Sequence, residues 1–203
     1  MFTWSKKISL MVFIVIFSAT LSGCTLVFQK GRRSDVEAIS QLKNKLSDLE
    51  RAKAELEDRL RREIDDKEVD VQMQDKGLVI TFLSEVLFNS GKAELREESY
   101  IKLDKVASVL STTVSDLNVG IEGHTDNVPI KYSGWKSNWE LSSARALSVL
   151  HYLEDNKNID PKRLSATGYG EFQSVASNDA AEGKQKNRRV EIVILPKVLK
   201  AER

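Results

Sequence analysis

Between Ser34 and Lys76 the chain contains neither glycine nor proline, and within that stretch the spacing of its apolar residues changes once. Up to Glu63 the spacing is a heptad. Ile39, Leu46 and Leu60 share one seam position, Leu42, Leu49 and Leu56 share the other, and only Lys53 and Glu63 interrupt. That period demands a continuous helix with one apolar stripe. Glu55–Arg59, Glu57–Arg61 and Asp58–Arg62 add i,i+4 pairs of the favoured orientation. From Val69 onward the period is two: Val69, Val71 and Met73 alternate with Asp70, Gln72 and Gln74, as in a half-buried strand. A helix-period pattern does not rest as a strand, so the chain divides here. A helical spacer is expected over 36–66, a globular domain over 69–196 and a tail over 197–203. Two arrangements can cover the spacer's stripe: a parallel coiled coil with a second copy through residues 36–64, or docking on the domain. The coiled coil, and with it a homo-oligomer, is the expectation.

In the domain, Asp75-Lys76-Gly77 is a turn between the first strand and a second over Leu78–Leu83. Tyr100, Leu103, Ala107 and Leu110 recur at helical spacing, and Leu117, Val119 and Ile121 alternate as a strand. A polar loop runs from Gly123 to Lys136. Ser137 and Glu140 have capping-box spacing and open a helix with the stripe Ala146, Val149, Leu150 and Leu153. Strands follow at Leu164–Tyr169 and Val190–Leu195, and the stretch from Glu171 to Gln185 reads as a loop or a short helix. Strands alternating with helices give an α/β domain, helices on a sheet, large enough for its own core.

The N-terminus carries a different signal. Lys6 and Lys7 precede an apolar run, Ile8 to Ala19, too short for a confident membrane span but suited to a secretory signal peptide. Leu21-Ser22-Gly23-Cys24 resembles the lipobox of bacterial lipoproteins. The resemblance implies a signal peptide over 1–23, acylation of Cys24 and a lipidated tether over 24–35. Several acyl chains on one cysteine, palmitate among them, would hold the chain in membrane lipid more firmly than one chain could. Thr25 after the cysteine, by analogy with enterobacterial lipoproteins, implies the cell outer membrane, with the domain in the periplasm.

Three segments of the domain line up with one family: Gly123-His124-Thr125-Asp126-Asn127, Asn138-Trp139-Glu140-Leu141-Ser142-Ser143-Ala144-Arg145-Ala146 and Asn187-Arg188-Arg189-Val190-Glu191. Phe88-Asn89-Ser90-Gly91 and Gly168-Tyr169-Gly170-Glu171 fall in order among them. Together they resemble the OmpA-like domain of outer-membrane protein A, peptidoglycan-associated lipoprotein and flagellar stator B subunits. The resemblance implies an α+β two-layer sandwich, a mixed sheet with helices on one face. It also implies non-catalytic binding of the peptidoglycan stem peptide at its diaminopimelate residue. That side chain ends in an ammonium and a carboxylate, which call for an acceptor-only anion and a planar bidentate donor. The family's Asp and Arg fall on Asp126 and Arg145. Arg suits the carboxylate because its fork matches two oxygens. Pairing of Asp126 with Arg145, or helix capping by each, would explain the same residues structurally. Asn89, Thr125, Asn138 and Arg188 are supporting candidates, Arg188 for a second stem carboxylate.

Other functions fit less well. Basic and acidic residues nearly balance, 31 to 30, without the surplus that nucleic-acid binding uses. The domain has no cysteine and only His124 and His151, so neither a metal nor another cofactor is expected from the nitrogen and sulfur donors. No G-x-S-x-G marks a nucleophile, and no enzyme is expected. Trp135 and Trp139 read as packing or loop anchors. Within the family, Val128-Pro129-Ile130 and Ser137 to Ser142 resemble stator B subunits, but residues 8–23 carry no carboxylate for ion transport. A lipid-anchored wall tether is therefore expected. A coiled-coil scaffold of an envelope complex and a stator-like subunit are the alternatives.

Overall fold

The structure, a computed structural model, describes residues 28–131 and 134–196. The expected signal peptide, Cys24 and the tail lie outside them, as do residues 24–27 of the expected tether; the rest of that tether, 28–35, is helical rather than an irregular link. The chain divides into two compact units, 1–44 and 45–203.

The helical period is realised as α1, Phe28–Arg59, followed by the single turn α2, Arg61–Asp65. The period-two segment gives β1, Val69–Gln74, paired antiparallel with β2, Gly77–Leu83. Gly77 closes this hairpin at φ +134°, and a Cβ there would fall 2.2 Å from the Ile194 carbonyl oxygen. Then come α3 (Ser84–Leu87), α4 (Glu97–Thr112), β3 (Asn118–Gly123), α5 (Asn138–His151), β4 (Leu164–Gly168), α6 (Ala181–Asn187) and β5 (Arg189–Leu195). The sheet order is β1-β2-β5-β3-β4, antiparallel except for the β3–β4 pair, which is parallel.

One face of the sheet is apolar. Val69 and Val71, Leu78, Ile80 and Phe82, Val119 and Ile121, and Val190, Ile192 and Ile194 alternate onto it and join one buried cluster. The helices supply the other layer through Leu103, Val106, Leu110, Ala146, Val149 and Leu153. This is the expected two-layer α+β sandwich with a mixed sheet.

The spacer departs from expectation. Leu49, Ala52, Leu56 and Leu60 are buried in the domain's own core. Lys105 on α4 binds Glu63 at 2.7 Å, and Thr113 donates to Glu55 at 2.6 Å, fastening the same segment. The seam expected over 36–64 is thus not continuously available to a second chain. The cause is the short link into β1, which lays the end of α1 against the core, where one apolar stripe serves for docking as well as for pairing. Val36, Ile39, Leu42 and Leu46 remain exposed.

Candidate functional site

The site forms where the C-terminal end of β3 passes into the loop that begins at His124 and the N-terminal part of α5 packs beneath it. Close approach fixes that packing. A Cβ on Gly123 would lie 2.1 Å from the Ser142 carbonyl oxygen, and one on Gly168 would lie 2.5 Å from the Ser143 nitrogen. Only glycine at both strand ends lets α5 come this near. Ser137 caps α5 by accepting from the Glu140 N–H at 3.3 Å, and Glu140 accepts from the Lys136 N–H at 2.8 Å. The capping spacing read from the sequence therefore operates, with Glu140 reaching one residue beyond the cap.

A cavity of about 560 Å³ opens here, lined in part by Thr125, Asp126, Asn138, Arg145 and Arg188. Asp126 is buried. Its Oδ1 accepts from the Val128 N–H at 3.1 Å and its Oδ2 accepts from Arg188 Nη1 at 2.7 Å. Thr125 is held by its N–H to the Gly170 carbonyl at 2.9 Å, and its hydroxyl donates to the Asp126 carbonyl. Asn138 Nδ2 donates to the carbonyls of Asp126 (3.3 Å) and Val128 (3.2 Å) and to Glu171 Oε2 at 2.7 Å, closing the loop against the next turn.

Arg145 is 4% exposed. Its Nε donates to the Lys92 carbonyl at 2.9 Å, and its guanidinium lies 5.2 Å from the Phe88 ring centroid. Among the described residues no carboxylate stands within ion-pair distance of it. Burial, and then the neighbouring Arg188 charge, push its pKa down to about 10 against the opposing pull of Asp126. It stays protonated at neutral pH. The site thus holds a buried cation anchored at Nε, beside a buried carboxylate bound on one side by Arg188. Such a cation is costly until an anion meets it.

The six sequence candidates separate. Asp126, Arg145, Thr125, Asn138 and Arg188 come together at the cavity. Arg188 pairs with Asp126 and also stands 3.9 Å from Glu85, whereas no Asp126–Arg145 pair forms. Asn89 is exposed and lies outside the cavity lining, because the turn from Asn89 to Lys92, with Gly91 at φ 67°, swings it outward. Ser90, Gly91 and Lys92 line the cavity in its place. The sequence reading missed Glu85 and Lys131, which also line it and sit in no recognisable motif. Trp135 is an anchor, donating to the Gly91 carbonyl at 2.9 Å. Trp139 is half exposed and stacks on Phe172.

Residues 87–188 match the family model described as "OmpA family". The chain belongs to the OmpA family. Motility protein B of Bacillus subtilis is 43% identical over 150 residues, 74% of this chain and 57% of that protein. Outer membrane protein A of Bordetella avium is 35% identical over 57% of each chain. The chain therefore spans little more than half the length of these OmpA-family relatives. Among solved structures, the cell wall anchor of the T6SS from Pseudomonas aeruginosa superposes with a TM-score of 0.63 at 34% identity, covering 70% of this chain and 97% of that one. A putative MotB-like protein from Desulfovibrio vulgaris gives 0.69 at 26% identity, covering 79% and 98%. The sheet order and helical layer described above are the shared OmpA-family architecture.

Proposed function

We propose that the chain binds the peptide stem of peptidoglycan, without catalysis, as the wall-gripping part of a lipid-anchored envelope protein. The observation that carries this is Arg145: a buried guanidinium with no carboxylate partner among the described residues, presented to a cavity that Asp126 also lines. A zwitterionic side-chain terminus such as that of diaminopimelate would place its carboxylate against Arg145. Its ammonium would share Asp126 with Arg188, whose Nη1 already donates to Oδ2. Membership of the OmpA family supports the reading, as does the description of one solved relative as the cell wall anchor of the T6SS.

The membrane end of the tether rests on the sequence. Lys6-Lys7, the apolar run and Leu21-Ser22-Gly23-Cys24 support lipidation at Cys24, and Thr25 supports the outer membrane. The exposed Val36, Ile39, Leu42 and Leu46 support pairing with a second copy through the upper part of the spacer. A second reading, the wall-binding subunit of a motility complex, is favoured by the likeness to Motility protein B of Bacillus subtilis. Residues 8–23 weigh against it, having no carboxylate to carry ions.

Calorimetric titration of a free stem tripeptide ending in diaminopimelate tests the site. Binding by the wild type that is lost in Arg145→Ala and Asp126→Ala supports the proposal; equal binding by both variants refutes it. Metabolic labelling with palmitate, compared with Cys24→Ala, tests the anchor separately.

A further inference from the structure

On the sheet face opposite the core, β3 and β5 place Glu122 directly across from Glu191. Like charges at a cross-strand pair repel, so a cation must lie near. Lys76 supplies one, its Nζ 2.5 Å from an oxygen of each glutamate. Arg189, two residues before Glu191 on the same face, adds a second contact at 2.6 Å. These four side chains account for one another.

His124 is not accounted for. It is 2% exposed, stacks on Tyr169 with 5.2 Å between centroids, and both its ring nitrogens are buried without a hydrogen-bond partner among the described residues. An imidazole carries one donor and one acceptor when neutral, and leaving both unmade is costly. Nε2 stands 3.9 Å from Glu191 Oε1, so the ring is aimed at the acidic pair. One ligand atom from each of Glu122, His124 and Glu191 fits within 4.8 Å of the others.

We infer that Glu122, His124 and Glu191 form a site for a divalent transition-metal ion of the zinc class, for which Lys76 is the built-in competitor. One nitrogen and two carboxylate donors suit such an ion. Tetrahedral bonds of 2.0–2.2 Å put ligand atoms about 3.4 Å apart, so the three atoms, now within 4.8 Å of one another, would draw together around the ion. Both ring nitrogens of His124 lack a hydrogen-bond partner among the described residues, so one is available to ligate. A cavity of about 370 Å³ bordered by Gln74, Lys76, Tyr169 and Gln173 gives an ion access from outside. The Lys76 side chain is one-third exposed, on the turn before β2, and can swing into solvent as the ion enters. Arg189 keeps its contact with Glu191 and limits the affinity.

The competition gives the test a sign that a purely structural network would not give. Calorimetric titration of zinc chloride into the tag-free full chain in detergent micelles should show one ion bound per chain. His124→Ala should abolish binding, and Glu122→Gln should weaken it by roughly 10- to 100-fold. Lys76→Ala should tighten it by roughly tenfold or more, the effect that a neighbouring unit charge exerts on an ionisable site. His151→Ala, an exposed histidine outside the site, should leave it unchanged. Thermal melts identify any variant that fails to fold, and Lys76→Ala keeps the test decisive if His124→Ala is such a variant. Absence of zinc binding, binding that survives in folded His124→Ala, or binding no tighter in Lys76→Ala overturns the assignment.

Discussion

Replacing Leu56 by alanine separates a docked helix from a two-chain seam. Leu56 has no exposed surface and lies in the same cluster as the sheet residues. Removing about three buried carbon groups at about 0.8 kcal/mol each forfeits about 2.4 kcal/mol of transfer energy. The sheet beneath cannot collapse fully into the gap, and the residual cavity raises the loss to about 3–4 kcal/mol, within the range known for buried leucines. For a domain of this size that is a fall in melting temperature of about 6–16 °C. Leu42, about four turns toward the N-terminus on the same nominal seam, is exposed, and its replacement should cost under about 0.5 kcal/mol in the monomer. Thermal and urea unfolding of both variants, followed by circular dichroism over a hundredfold range of protein concentration, reads the difference. The account requires the Leu56→Ala loss to be the same at every concentration. A loss that disappears on dilution, or one below about 1 kcal/mol throughout, would refute docking and restore Leu56 to an intermolecular seam.

Further outcomes follow from the same geometry. Although burial opposes it, the Lys105 hydrogen bond holds the Glu63 carboxyl below the usual glutamate value. This contribution is present above pH 4.5 and is lost as pH falls through the folded value. Glu63→Gln should therefore be less stable than wild type at pH 7, with the gap narrowing below pH 4.5 in urea titrations. Gly123→Ala drives a methyl into the Ser142 carbonyl and should destabilise by about 1–3 kcal/mol, read as a lower urea midpoint. Arg145→Met removes a buried charge that has no carboxylate partner among the described residues, so its melting temperature should equal or exceed that of wild type while stem-peptide binding is lost. Arg188→Ala should weaken binding less than Asp126→Ala in the same titration, since it removes a partner of the carboxylate and leaves the carboxylate itself.

Where one residue's neighbours decide its environment, the sequence was sufficient. The alternation at Val69–Met73 marked a strand whose Val69 and Val71 do face the core, and the apolar runs Leu78–Leu83 and Val190–Leu195 marked strands that are buried along almost their whole length. The Ser137–Glu140 spacing marked a cap that forms. Motif matches brought Asp126, Thr125, Asn138, Arg145 and Arg188 to one cavity although they span more than sixty positions. What failed required knowledge of the other side of a contact. A heptad stripe says that Leu49, Leu56 and Leu60 must be covered, but not by what. Asn89 lay in a matching motif, yet the orientation of a tight turn, not its composition, set the direction of its side chain. The Asp126–Arg188 bond joins residues 62 apart. The Glu122–Glu191 juxtaposition is a register fact of two antiparallel strands, and without it His124 looked like an isolated histidine.

The central claim is that Arg145 and Asp126 hold the stem peptide of the cell wall. Its most direct test is co-sedimentation of the chain with purified sacculi of the diaminopimelate type, with wild type, Arg145→Ala and Asp126→Ala run side by side and free diaminopimelate added as competitor. The account predicts that wild type pellets, that both folded variants remain in the supernatant, and that the free amino acid releases the bound protein. Wild type remaining soluble, or variants pelleting as wild type does, would contradict it.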